Sequence, residues 1–222
     1  MTHTVEIKAI TPVANNVFSY DLEKPAGYGF EPGQATEVSI DKDGWRDEKR
    51  PFTFTSLPDD DRLQFTIKSY PERNGVTDQL SGLLVGDRLI IDDPWGTISY
   101  KGKGVFIAGG AGLTPFLAIL RAQNETEGHL AEHTLLFANR RERDIILQDE
   151  LDLMPGLTTR HILSDEDKSG FDYGRIDRAY LESVIEDLDQ VFYICGPDEM
   201  VKDLKAILKE MGANPEGLVF EK

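Results

Sequence analysis

The apolar positions change period near the middle of the chain. Over the first hundred residues they fall in short runs rich in β-branched and aromatic types, at 5–10, 17–21, 36–40, 50–56, 63–69 and 88–92. Leu63, Phe65 and Ile67 alternate with Gln64, Thr66 and Lys68, the two-residue period of a half-buried strand. Turn residues separate the runs, among them Pro25-Ala26-Gly27, Glu31-Pro32-Gly33 and Lys42-Asp43-Gly44. A short helix is predicted over 75–83, opened by Thr77. Six strands with one helix predict a small antiparallel barrel.

From residue 104 strands and helices take turns. Strands are predicted at 104–108, 134–138, 159–163, 191–195 and 217–221. Helices are predicted at 115–123, 144–151, 178–188 and 198–211, the last with Met200, Leu204 and Leu208 at the four-residue step. Such alternation predicts a parallel sheet covered on both faces. Pro94, Gly96 and Gly102 mark the boundary, giving a β domain over 1–100 and an α/β domain over 101–222.

Charge and cysteine usage narrow the chemistry. The 222 residues include 40 acidic and 24 basic ones, a formal net charge of −16. A field of that sign repels nucleic acid and anionic lipid, so an anionic ligand needs a local basic pocket or backbone N–H groups. One cysteine rules out a disulfide framework, a four-thiolate zinc site and a plant-type iron–sulfur cluster. No metal site is expected. The start MTHTVEIKAI lacks a basic, then apolar, leader pattern, and no apolar stretch reaches membrane-spanning length, so a cytoplasmic protein without membrane insertion is expected.

Parallel sheets bind ligands beyond the carboxyl ends of their strands. Two such ends carry unusual residues. GVFIA is followed by Gly109-Gly110-Ala111-Gly112-Leu113-Thr114-Pro115, where small residues let backbone N–H groups approach an anion and Thr114 and Pro115 suit a helix start. A tight structural turn is the alternative. VFYIC is followed by Gly196-Pro197, which sets the lone Cys195 at a strand end; a buried apolar cysteine is the alternative. In the first half, Arg50, Phe52 and Ser56 fall on one side of their strand and Thr53 on the other. Arg, a flat ring and hydroxyls suit an aromatic cofactor bearing phosphate. Arg73 and the turn Gly75-Val76-Thr77 suit a pyrophosphate.

These motifs, in this order, resemble the ferredoxin–NADP reductase superfamily of flavoproteins over nearly the whole chain. The resemblance implies an FAD-binding barrel followed by a nicotinamide-binding α/β domain. Arg50-Pro51-Phe52-Thr53 matches the flavin motif Arg-x-Tyr-Ser/Thr. By resemblance Arg50 binds the pyrophosphate, Phe52 lies against the flavin ring, Thr53 bonds near N5, and Ser56 matches a further hydroxyl. Phe52 replaces the usual Tyr and removes one hydroxyl. Lys68, Ser69 and Tyr70 resemble a second flavin element, and Gly75, Val76 and Thr77 a third. Gly109, Gly110, Gly112, Thr114 and Pro115 resemble the nicotinamide loop. Cys195-Gly196-Pro197 matches the motif whose cysteine positions the nicotinamide for hydride transfer.

The expected chemistry is transfer of hydride from NADH or NADPH to FAD, with FMN the alternative flavin. Thr53 and Cys195 are the expected catalytic residues. Glu221 is a further candidate as a polar or proton-relay group, against a solvent-facing tail residue. Asp165 after the third α/β strand favours NADH, because a 2′-phosphate there meets like charge; Arg140, with Arg141 and Arg143, is the opposing feature. The electrons are expected to pass to a separate small redox protein such as ferredoxin, flavodoxin or an oxygenase component. The alternatives are a free-flavin reductase and a non-catalytic flavin-binding subunit.

Overall fold

The computed structural model describes residues 1–96, 98–214 and 217–220. Its first sheet takes β1 (His3–Ala14), β2 (Val17–Glu23), β3 (Gln34–Ile40), β4 (Arg50–Thr53), β5 (Arg62–Lys68), β6 (Arg88–Ile91) and β7 (Trp95–Gly96). The path is β4-β3-β6-β1-β2-β5, with β7 on β3, and every pair is antiparallel. The six expected strands are present, and β7 is a seventh too short to show a period. β1 runs past Ile10 because bulges between Ile7 and Ala9 and between Pro12 and Ala14 let it bend without losing β2.

The strand expected over 50–56 changes partner instead of continuing. Phe54 donates its N–H to Gln34 O of β3 (3.1 Å), whereas Thr55 donates to Gln64 O of β5 (2.8 Å). A bridge pairs Phe54 with Phe65. At this corner the chain leaves β3 and meets β5. Val5, Ile7, Tyr20, Val38, Phe54, Phe65 and Leu89 fill one core beneath it. Phe54 is fully buried, stacked on Phe30 with ring centres 4.3 Å apart. The helix after β5, α1 (Val76–Ser81), is shorter than expected. Gly75 precedes it and no side chain caps it, so Thr77 does not open it.

The second sheet takes β8 (Gly104–Gly109), β9 (Thr134–Asn139), β10 (Thr158–Leu163), β11 (Asp172–Tyr173), β12 (Val191–Cys195) and β13 (Leu218–Phe220). All its pairs are parallel, in the order β11-β10-β9-β8-β12-β13. Its helices are α2 (Thr114–Glu127), α3 (Gln148–Leu153), α4 (Arg178–Val184) and α5 (Asp198–Met211). β8 is buried along its whole length, and its side chains divide between the two faces. Phe106 and Ala108 meet Phe116, Leu117 and Leu120 of α2 and Leu151 of α3. Val105 and Ile107 join the cluster of Leu181 from α4 and Leu204 and Leu208 from α5.

Three of these helices differ from expectation, and α2 does so by running on to Glu127, four residues past its expected end. Over 144–151 there is a 3-10 turn (Glu142–Asp144), then Leu147 in the left-handed region at φ +50°, and only then α3. Ile145 and Ile146 are buried in that connection, and Leu147 N–H reaches Val13 O (3.4 Å). Ile145 and Ile146 join the buried cluster between the second sheet and α2, which also takes in Val17 of β2, rather than forming one side of a helix of their own. α4 ends at Val184, four residues early, where Ile185 turns extended.

Candidate active site

The strand order reverses between β8 and β12. β8, β9 and β10 extend to one side, and β12 and β13 return to the other. At such a switch point the loops leave in opposite directions and open a crevice at the carboxyl ends of the strands. Here Ala108 pairs with Cys195, so the Gly-rich segment and Cys195-Gly196-Pro197 emerge side by side.

The glycines hold these loops together. A Cβ on Gly112 would lie 2.4 Å from Cys195 O, one on Gly109 would lie 2.9 Å from Pro197 Cδ, and one on Gly196 would lie 3.1 Å from Gly109 Cα. The contact is backbone on backbone, and any side chain at Gly112 forces the loops apart. Gly110 differs: its φ is +53° and nothing lies within 4 Å of the added atom, so its conformation demands glycine and the space above it is open. Residues Gly110–Leu113 form a 3-10 turn leading straight into α2. Thr114 is the first residue of α2 rather than its cap, and its hydroxyl donates to Ala111 O (3.1 Å). Pro115 is buried in the first turn. Cys195 is buried at the end of β12, and Pro197 is exposed beside it. Met200, missed as a neighbour of the glycine loop, places Sδ 2.6 Å from the Cβ position of Gly109.

The Gly110–Leu113 turn packs against β5. The antiparallel bridge between Phe54 and Phe65 directs the start of β4 toward the end of β5, where Lys68, Tyr70, Arg73 and Gly75 follow. Arg50 and Pro51 are exposed, Phe52 and Thr53 half-buried, and the Phe52 ring lies 6.4 Å from that of Phe65. Arg50 donates to Lys49 O (2.6 Å) and lies 3.7 Å from an exposed Glu48 carboxylate, a solvent-screened pairing that a phosphate can displace. Arg73 stacks on Tyr70, 4.6 Å from the ring centre, and Lys68 Nζ lies 6.0 Å from the same ring. Asn74 at φ +47° turns the chain into extended Gly75, after which Val76 and Thr77 begin α1 with first-turn N–H groups that have no intrahelical acceptor. Ser69 Oγ is buried without a hydrogen-bond partner among the described residues. These features fit a flavin bearing phosphates. The buried Ser56 hydroxyl accepts from Gln64 N–H (3.0 Å).

At the far end of the crevice, Asp165 N–H donates to Arg140 O (2.9 Å), which sets the two exposed residues side by side. The Asp165 carboxylate accepts from the Ser164 hydroxyl (2.7 Å). Arg140 forms no ion pair among the described residues. Glu221 lies outside the described residues.

Comparison with known proteins agrees with this layout. Residues 2–99 match the FAD-binding domain family and residues 106–206 the Oxidoreductase NAD-binding domain family. The chain is 30% identical to NADH-cytochrome b5 reductase 1 of Ajellomyces capsulatus over 237 residues, 96% of this chain and 76% of that protein. It is 29% identical to the reductase component of propane 2-monooxygenase from Rhodococcus jostii, over 97% of this chain and 62% of that protein. The fold matches the FAD/NAD-binding domain of nitric oxide dioxygenase from Vibrio cholerae with a TM-score of 0.87 at 21% identity, covering 98% and 97% of the two chains. Several curated relatives are longer, and the chain spans only 28% of one of them. The chain belongs to the ferredoxin–NADP reductase-like superfamily of FAD- and NAD(P)-binding flavoprotein oxidoreductases. Among the described residues no helix is long and apolar enough to cross a membrane.

Proposed function

We propose that this chain takes hydride from a nicotinamide nucleotide onto FAD and delivers the electrons to a separate small redox protein. The observation that carries the reading is the switch point, where Gly112 meets the Cys195 backbone while the same turn packs on β5. Both cofactor segments thus face one crevice. Bound FAD supplies a two-electron acceptor that can release electrons singly. Arg50, Arg73 and the Gly75–Thr77 amides hold its phosphates, and Phe52 and Tyr70 offer flat faces to its rings. Thr53, half-buried on β4, holds a hydroxyl toward the ring. Gly110 leaves room for the nucleotide, and Cys195 and Thr114 bound the nicotinamide pocket. Asp165 accepts from ribose hydroxyls and repels a 2′-phosphate, so NADH is the preferred donor.

The first hundred residues form the flavin domain, read as a closed barrel. The Phe54–Phe65 bridge and the single core within support closure. The names of the Rhodococcus and Ajellomyces relatives support a protein acceptor. The test is an absorbance spectrum of the purified protein followed by anaerobic titration with NADH and NADPH. Bound yellow flavin bleached by one equivalent of nucleotide is expected. Flavin lost on gel filtration, with activity restored by added flavin, points to a free-flavin reductase. A flavin that stays oxidised overturns the hydride-transfer reading.

A further inference from the structure

The helix that leaves the Gly-rich turn carries one side chain back to the flavin sheet. Arg121 lies two turns into α2, and its guanidinium binds on two sides at once. Nε and Nη2 donate to the two carboxylate oxygens of Glu150, at 2.6 and 2.8 Å. Nη1 donates to Thr55 O and, at 3.0 Å, to Gln64 Oε1. Thr55 stands two residues beyond Thr53, at the corner where the chain changes from β3 to β5. Gln64 Oε1 also accepts from the Thr55 hydroxyl (3.0 Å), and Gln64 Nε2 donates to Asp21 (2.9 Å). Thr55, Thr66 and Ser19 continue the chain of hydroxyls into the sheet at 3.1 Å per step. The knot borders a hollow of about 870 Å³ between the two halves, lined by Asp60, Arg62, Glu125 and Leu153 among others.

We infer that Arg121 is a positioning residue which sets the distance between the nicotinamide loop and the flavin. Its own helix begins at the loop; of its acceptors, Thr55 O lies two residues beyond the strand that carries Arg50 to Thr53, Gln64 lies on β5 and Glu150 on α3. A planar guanidinium fixes both direction and distance, whereas an ammonium fixes neither. Hydride transfer is steep in donor–acceptor distance, and a misplacement of about 1 Å from a remote change costs on the order of a hundredfold in rate. The inference rests on the hydride-transfer reading above.

The test uses the FAD-loaded protein and stopped-flow reduction by saturating NADH, with Arg121→Lys and Glu150→Gln as the main variants and Arg121→Ala as the third. Flavin reduction at saturation is expected to fall about tenfold or more in Arg121→Lys. The dissociation constants for FAD and NADH should stay within about twofold, and the long-wavelength charge-transfer band between nicotinamide and flavin should weaken. Glu150→Gln keeps one of the two acceptor oxygens and turns the other into a donor, so it should retain more of the rate than Arg121→Lys. If Arg121→Ala fails to fold, the other two decide. Wild-type reduction rates in Arg121→Lys overturn the inference, as does a loss confined to FAD or NADH affinity. A wild-type protein that neither NADH nor NADPH reduces overturns the hydride-transfer reading instead, so the two failures are distinct.

Discussion

Gly112 and Cys195 touch through their backbones: a Cβ on the glycine would sit 2.4 Å from the cysteine carbonyl oxygen and 2.5 Å from its carbon. Neither atom belongs to a flexible side chain that could swing aside. Gly112→Ala should therefore spread the two loops, at a cost of about 1–3 kcal/mol in stability. Nucleotide-driven flavin reduction should fall with it. Gly110→Ala meets open space and bears only the left-handed conformation, about 1–2 kcal/mol. Thermal unfolding and KM for NADH on both variants check the contrast. Equal, small effects on KM would show that loop contact does not shape the nucleotide site.

Cys195 ends β12 in register with Ala108. Cys195→Ala should leave FAD bound and slow reduction at saturating nucleotide by about tenfold or more, because the proposed function sets the thiol against the nicotinamide rather than the flavin. Stopped-flow absorbance reads this directly. An unchanged rate would make the thiol a packing group.

How far the sequence carried this picture depends on the range of the interactions. α5 was legible because Met200, Leu204 and Leu208 repeat every four residues and Gly212 closes the helix in a left-handed turn. The loops at the switch point were legible as glycines and a strand-end cysteine. Their contact was not, since nothing local says that Gly112 meets the Cys195 carbonyl. The run 144–151 misled because Ile145 and Ile146 are apolar for a reason outside their own element. Arg121 left no motif: one acceptor is the backbone carbonyl of Thr55, which any residue would offer.

Arg50 is exposed on β4, donating to Lys49 O (2.6 Å) and 3.7 Å from an exposed Glu48 carboxylate. Removing it should cost a charge-assisted phosphate bond, about 1.5–3 kcal/mol. FAD affinity of Arg50→Ala should fall about tenfold or more while the melting temperature of the apoprotein holds. A direct flavin titration with unchanged affinity would remove Arg50 from the site.

Asp165 and Arg140 stand on neighbouring strand ends, joined by the Asp165 N–H to Arg140 O bond of 2.9 Å. Their side chains pull in opposite directions on a 2′-phosphate. NADH should be preferred over NADPH by roughly fivefold in kcat/KM, about 1 kcal/mol of differential binding in the transition state. Asp165→Arg should narrow or reverse that ratio. A wild-type preference for NADPH that Arg140→Ala abolishes would transfer the specificity role to Arg140.

Buried phenols set the alkaline limit of the fold. Burial pushes Tyr20, Tyr28 and Tyr193 up to about 12. Tyr180 rises too, by burial and by its bond to the Asp172 carboxylate. In the unfolded chain a tyrosine ionises near 10. The folded-state values are raised, so the stabilisation is fully present below the unfolded value and is lost as pH rises through the folded one. The melting temperature should therefore change little from these groups below about pH 9.5 and fall steeply between about pH 10 and 12. Tyrosinate absorbance of the buried group should rise only as the chain unfolds. Tyr193 adds a local consequence. Its hydroxyl donates to Gly102 O (2.7 Å) and accepts from Lys101 N–H (2.8 Å), which ties the connection between the halves to β12. Tyr193→Phe should lower stability by about 1 kcal/mol near neutrality. It should also flatten the alkaline fall, because one fewer phenol ionises on unfolding. A fall with the same slope in the variant would show that Tyr193 does not contribute to the alkaline transition.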